Sequence, residues 1–285
     1  MGVGPRILSM QHFRRGALDF PVQDRGPAGE NAVGGGAPAG TVVLLPGFPQ
    51  DAASFDQVTP ALHAVGLRTL VPTPRGYAPT NTPRRRRDYR LTELAGDVIA
   101  LLDAAGLDRV QLVGHDWGGA VAWAVAGWFP DRVAGLTVLS TPHPAALTAA
   151  LLHSDQALRS WYMAAFQLPL LPELITAGTG AAVLRRSGLP AEVARRYASR
   201  PMTGPINYYR GFALSLRTQV PLITVPTTYV WGREDFALGR WAAEHTADHV
   251  AGDYDFRAVP GGHWLPETRP ELVARAVLDR VAAVS

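Results

Sequence analysis

The chain has 285 residues, 47% apolar and 18% charged, which supplies a sizeable core and excludes a mainly disordered protein. The net charge is only +3 and all 27 basic residues are arginine, so there is no nucleic-acid footprint, no Schiff-base amine and no P-loop lysine. Cysteine is absent, which excludes disulfides, thiolate metal sites and cysteine nucleophiles.

No apolar run reaches the roughly 18 residues of a membrane span. The start, Met1 to Met10, lacks a basic segment followed by a long apolar one, so a cytoplasmic location without a secretory leader is expected. All-arginine basicity with abundant alanine points to a GC-rich bacterial source. In chain order, Ile7–Phe13 and Ala17–Gln23 flank Arg14-Arg15-Gly16 and predict a hairpin. Gly26 to Gly40, rich in Gly, Ala and Pro, predicts a surface loop. Short apolar runs then read as buried strands: Thr41–Leu45, Arg68–Val71, Val110–Val113, Leu136–Ser140, Thr227–Trp231 and Phe256–Val259. Arg84 to Arg87, with Arg90, reads as a solvated loop rather than a polyanion site.

Helical segments separate these runs. Leu91, Leu94, Val98, Leu101 and Leu102 recur at helical spacing, and Gly118–Trp128 is Ala-rich. Thr268-Arg269-Pro270-Glu271 predicts a capping box opening the last helix. Such alternation implies an eight-stranded, mostly parallel α/β sheet with helices on both faces. From His143 to Val220 the rhythm fails. That segment is helical in composition, broken by Pro169, Pro172, Pro190, Pro201 and Pro205, and predicts an inserted helical lid. The expected organisation is core 1–142, lid 143–220 and core 221–285.

The most specific signal is Gly114-His115-Asp116-Trp117-Gly118-Gly119 at the end of a buried strand. Small residues around a central acid, followed by a helix, read as a nucleophile elbow with Asp116 where an esterase has Ser. No Gly-x-Ser-x-Gly occurs elsewhere in the chain. Leu44-Leu45-Pro46-Gly47-Phe48-Pro49 ends the third strand, and the N–H groups of Phe48 and Trp117 are expected to form an oxyanion hole, with a cis bond before Pro49. Trp231-Gly232-Arg233-Glu234-Asp235 and Gly261-Gly262-His263-Trp264 follow the last two strands. Asp235 is the preferred partner of His263 and Glu234 the alternative. His115 is expected to brace the elbow. His143, Trp117 and Trp264 are expected at an apolar pocket, together with Phe48, while His12, His63, His245 and His249 are expected at the surface.

These motifs resemble the α/β-hydrolase superfamily, whose chain order is nucleophile, acid, His, and within it the epoxide hydrolases. The resemblance spans nearly the whole chain. Gly76-Tyr77-Ala78-Pro79-Thr80 is similar to that family's Gly-x-small-x-Ser/Thr motif. Asn207-Tyr208-Tyr209-Arg210 resembles the segment carrying one ring-opening tyrosine and places it at Tyr209, and Tyr162 resembles the other. Pro46 departs from the pattern, since the family usually has His there. The resemblance implies hydrolysis of an epoxide to a diol, with Asp116 as nucleophile, His263 and Asp235 as base and acid, and Tyr162 and Tyr209 as donors. Water is then the only cosubstrate, with no metal or cofactor, and the chain is a monomer or homodimer. Haloalkane dehalogenation by the same Asp–His–Asp set is the alternative, and a catalytically idle binding protein on this fold a more distant one.

Overall fold

The computed structural model describes residues 10–26, 40–215 and 218–284. It opens on a hairpin of β1 (His12–Arg15) and β2 (Leu18–Arg25). Arg15 pairs with Leu18, so the turn is Gly16-Ala17 rather than Arg14–Gly16, with Gly16 at φ +58. Residues 7–9 of the expected first strand, and 27–39 of the expected loop, lie outside the described residues.

Strands and helices then alternate, apart from short 3-10 turns: β3 (Thr41–Leu45), α1 (Thr59–Ala64), β4 (Arg68–Pro72), α2 (Leu91–Ala104), β5 (Val110–His115), α3 (Trp117–Trp128) and β6 (Val133–Leu139). Among the described residues that follow, helices succeed one another without a strand: α4 (Pro144–His153), α5 (Gln156–Arg159), α6 (Trp161–Ala165), α7 (Leu171–Arg186), α8 (Ala191–Ala198) and α9 (Thr203–Ala213). Alternation resumes with β7 (Thr227–Gly232), α10 (Arg240–Glu244), β8 (Tyr254–Val259), α11 (Leu265–Thr268) and α12 (Pro270–Ala283). The chain has the α/β-hydrolase arrangement: an eight-stranded sheet in the order β1-β2-β4-β3-β5-β6-β7-β8, parallel from β4 onward.

The side-chain period of two explains the layers. Val43 and Leu45 of β3 point into one cluster with Leu94 and Val98 of α2 and Val121 and Val125 of α3. Val42 and Leu44 point the other way, into a cluster with Leu62 of α1 and Val273 and Val277 of α12. Strands covered on both faces read as continuous apolar runs, which is why the sequence pattern located them. β6 and β8 begin earlier than their apolar runs, at Val133 and Tyr254, because pairing with neighbours continues past the apolar residues. Chain order reverses at β3, with β4 on one side and β5 on the other. Open sheets place their sites outside the carboxyl ends at such a point.

The capping box does not form. Thr268 is already helical as the last residue of α11, and its hydroxyl donates back to Trp264 O at 2.7 Å, so α12 starts without a side-chain cap. No helix among the described residues is long and apolar enough to cross a membrane.

Candidate active site

The elbow is set by backbone crowding. A Cβ on Gly118 would stand 2.0 Å from Leu45 O, so only glycine lets α3 start this close to β3. Asp116, between β5 and α3, is thereby held at φ +48, ψ −120, a conformation costly for a non-glycine residue. Its carbonyl accepts the Thr141 hydroxyl at 2.9 Å. Its carboxylate is aimed at the loop after β3, where the N–H of Phe48 donates to Oδ1 at 2.6 Å. The Phe48–Pro49 bond is cis.

The other two members arrive from the ends of β7 and β8. His263 lies with Nδ1 2.9 Å from Asp235 Oδ2 and Nε2 3.5 Å from Asp116 Oδ2. Asp235 is buried, and its second oxygen accepts the N–H groups of Ala237 at 2.8 Å and Leu238 at 3.0 Å. Both carboxyl oxygens are therefore occupied, which fixes the Nδ1 side of the imidazole. Glu234 does not reach His263; it binds the N–H of Gly261 instead. Burial works against a charged His263, but Asp235 and Asp116 prevail and hold it protonated, with its pKa raised to about 10. Burial likewise opposes charge on Asp116, yet His263, His115 and the Phe48 N–H hold its carboxyl below the usual range.

An apolar cavity opens above Asp116, lined among others by Trp117, Pro142, Tyr162, Met163, Tyr209 and Phe212. Tyr162 comes from α6 and Tyr209 from α9, their rings 5.8 Å apart and nearly perpendicular. The seat of α9 is another close approach: a Cβ on Gly204 would meet Gly76 O at 1.9 Å, in the loop that carries Tyr77. Tyr209 also packs edge-on against Phe48 and Trp117, at 5.1 and 5.0 Å. Burial pushes both phenols up, with Asp116 adding to the shift in each, so both keep their protons at neutral pH. Tyr208 points elsewhere, toward Tyr77, Tyr89 and a second cavity lined by Arg75 and Asp97.

Three expected pocket residues are not among those lining the cavity: the Phe48 ring packs against Phe166 and Tyr209 at 5.8 and 5.1 Å, and His143 and Trp264 stand aside. His143 is buried, but its Nδ1 accepts the N–H of Ala145 at the start of α4 and its ring stacks on His249 at 4.7 Å. Pro142 and Pro144 line the cavity in its place. Trp264 touches His263 but turns into a cluster with Leu189, Ala194 and Tyr197, its indole donating to Ser187 O at 3.1 Å. Of the four histidines expected at the surface, His12 is exposed, while His63, His245 and His249 are half-buried. Thr141, Met163, Phe212 and Leu238 also reach the cavity without having been singled out by sequence. Thr141 carried a usable signal, since it lies at the carboxyl end of β6; the others carried none.

Sheet order, elbow and the Asp–His–Asp arrangement define an α/β-hydrolase. Residues 40–270 match a family described as alpha/beta hydrolase fold. Epoxide hydrolase A of Mycobacterium tuberculosis (strain ATCC 25618 / H37Rv) is 30% identical over 295 residues, covering 86% of this chain and 90% of that protein. Epoxide hydrolase 4 of Homo sapiens is 29% identical over 313 residues, covering 97% and 85%. The crystal structure of Epoxide Hydrolase A from Mycobacterium thermoresistibile matches with a TM-score of 0.80 at 26% identity, covering 96% of this chain and 98% of that one. The chain belongs to the alpha/beta hydrolase fold family and, within it, to the epoxide hydrolases.

Proposed function

We propose that this protein converts an epoxide and water to a vicinal diol through an ester on Asp116, with residues 143–220 acting as the cap over the elbow. The observation that carries the reading is the pair of neutral phenols, buried Tyr209 and partly buried Tyr162, that share an apolar cavity with the Asp116 carboxylate. An epoxide needs a carbon attacked on one side and its oxygen given a proton on the other, and a phenol donates while staying neutral.

In the first step Asp116 attacks a ring carbon, the carbon–oxygen bond breaks, and the alkoxide takes a proton from the tyrosines. The attacking carboxylate becomes a neutral ester. His263 thereby loses one of the two carboxylates that hold its proton. It releases that proton to solvent, from which the tyrosinate left by ring opening regains its own, and becomes a base when the second step needs one. Neutral His263, oriented by Asp235, then takes a proton from water, and the hydroxide adds to the ester carbonyl. The N–H groups of Phe48 and Trp117 stabilise the oxyanion, collapse passes the His263 proton to the departing diol, and the acid proton left on Asp116 returns to His263 and restores the charged pair.

The test is a panel of styrene oxide and simple haloalkanes, followed for diol and for halide. Diol formation from the epoxide is the expected outcome. Halide release without diol formation would replace the reading with dehalogenation.

A further inference from the structure

A chain of buried polar groups runs beneath the catalytic pair, and the reaction above does not use it. Glu267, on α11 four residues after His263, accepts the Gln50 amide at 2.6 Å and the Tyr197 hydroxyl at 3.0 Å through one oxygen. Its other oxygen is buried with no partner. Gln50 is fully buried, and its orientation is set, because its Oε1 accepts the N–H of Gly47 at 3.1 Å. The same Oε1 lies 2.7 Å from Nδ1 of His115, and Nε2 of His115 lies 2.8 Å from the main-chain oxygen of His263.

His115 therefore meets an acceptor at each nitrogen. A neutral imidazole has one N–H and satisfies one of them. Burial and the charge on neighbouring His263 lower the His115 pKa to about 4, so the ring stays neutral, links Gln50 to the main chain of His263 with a single proton, and leaves Glu267 as the ionisable end of the chain. The ring of His115 lies 5.1 Å from that of His263.

We propose that Glu267 is a positioning residue for the reaction: acting through Gln50 and His115, it fixes the backbone of His263, and its ionisation is coupled to that of His263. The coupling to the hydrolysis step rests on the two-step reading above; the coupling in the resting enzyme does not. Burial pushes the Glu267 carboxyl up to about 7, the range in which a coupled group changes charge at working pH. The charged and titratable groups around it are His263 in the core and Tyr197 and Arg196 on α8, the latter two also facing Asp51, with His115 reached through Gln50. Those facing His263 are Asp116, Asp235, His115 and Glu267. Tyr197 makes the chain a link from α8 to the base.

The experiment is an imidazole NMR titration of the enzyme labelled at histidine, with the His263 signal assigned by its loss in His263→Gln. Glu267→Gln keeps the shape and the contact to Gln50 but removes the charge. It should lower the pKa of His263 by about one pH unit, the lower end of shifts caused by a nearby charge. Gln50→Glu/Glu267→Gln moves the carboxylate one link nearer and should restore the wild-type value. Tyr197→Phe removes a donor to the carboxylate and should act in the same direction as Glu267→Gln, more weakly. With substrate, the pH profile of ester hydrolysis should move to lower pH in Glu267→Gln and return in the double variant. If His263 titrates in Glu267→Gln as in the wild type, the proposal is overturned and Glu267 is a packing residue. Failure of the epoxide reading shows separately, as no diol from the wild type, and leaves the resting titration to decide the coupling.

Discussion

Asp116 and Tyr162 face the same cavity but are held there by different means. Asp116 is placed by backbone against backbone: Gly118 presses on Leu45 O, and β5 is laddered to β3 and β6. Tyr162 sits on α6, which has no buried residue and whose first residue, Trp161, is 69% exposed. What fixes that helix is a set of side-chain ties. Arg210 pairs with Glu173 and donates to Phe166 O at 2.9 Å, and Gln167 donates to Tyr209 O at 3.1 Å. Tyr209 is intermediate, on a helix whose segment from Gly204 to Gly211 is buried throughout. The nucleophile is thus fixed by backbone sterics that leave no alternative residue, Tyr209 shares such a seat through Gly204 and Gly211, and Tyr162 is fixed by contacts that other side chains could supply.

Several substitutions break or sharpen this contrast. Asp116→Asn should remove turnover by at least roughly 10⁴-fold, as loss of a nucleophile does. The fold should persist, because the elbow is held by backbone, with the thermal midpoint lowered only by loss of the carboxylate beside His263. Steady-state diol production and a melting curve check both halves.

Gly118→Ala should cost more than about 4 kcal/mol of stability, since the added Cβ meets main-chain atoms on a packed strand. Denaturant unfolding measures it, and a near-native midpoint would show that the elbow yields. Tyr162→Phe and Tyr209→Phe should each cost about 2–4 kcal/mol in the ring-opening step, the scale of one lost oxyanion donor. The double variant should cost more than either but less than the sum, because both donors serve one oxygen. Rapid-quench alkylation rates read this out. A double variant as fast as the wild type would make the tyrosines packing residues.

The catalytic pair also links stability to pH. His263 has a folded pKa of about 10, above its ordinary 6.5. Its contribution is therefore complete below about pH 6.5 and is lost as pH rises toward 10. The unfolding free energy should decline across that window, and Asp116→Asn should flatten the decline by removing one of the two carboxylates. The smallest effect is expected on the exposed helix α7. A Cβ on Gly178 meets nothing within 4 Å, so Gly178→Ala should stabilise by about 0.5–1 kcal/mol through helix propensity alone, with activity unchanged.

The sequence alone determined the parts governed by local rules. Buried strands such as Thr41–Leu45 show as apolar runs, and the elbow as glycines around an acid, because each pattern answers to the sterics of a few consecutive residues. The order Asp116, Asp235, His263 at strand ends followed from the same alternation. Only the tertiary structure decided what depends on residues far apart. Nothing near His143 announces that its ring turns onto His249, or that Trp264 turns toward Tyr197, since side-chain direction is chosen by packing partners a hundred or more residues away in the first case and nearly seventy in the second. Thr268 formed a capping motif on paper, but α11 claimed it first. The chain from Glu267 through Gln50 to His115 joins residues 267, 50 and 115, and no periodicity or spacing encodes it. Burial of those groups against one another is a property of the folded core, where each polar atom must find its partner from whatever strand or helix lies nearest.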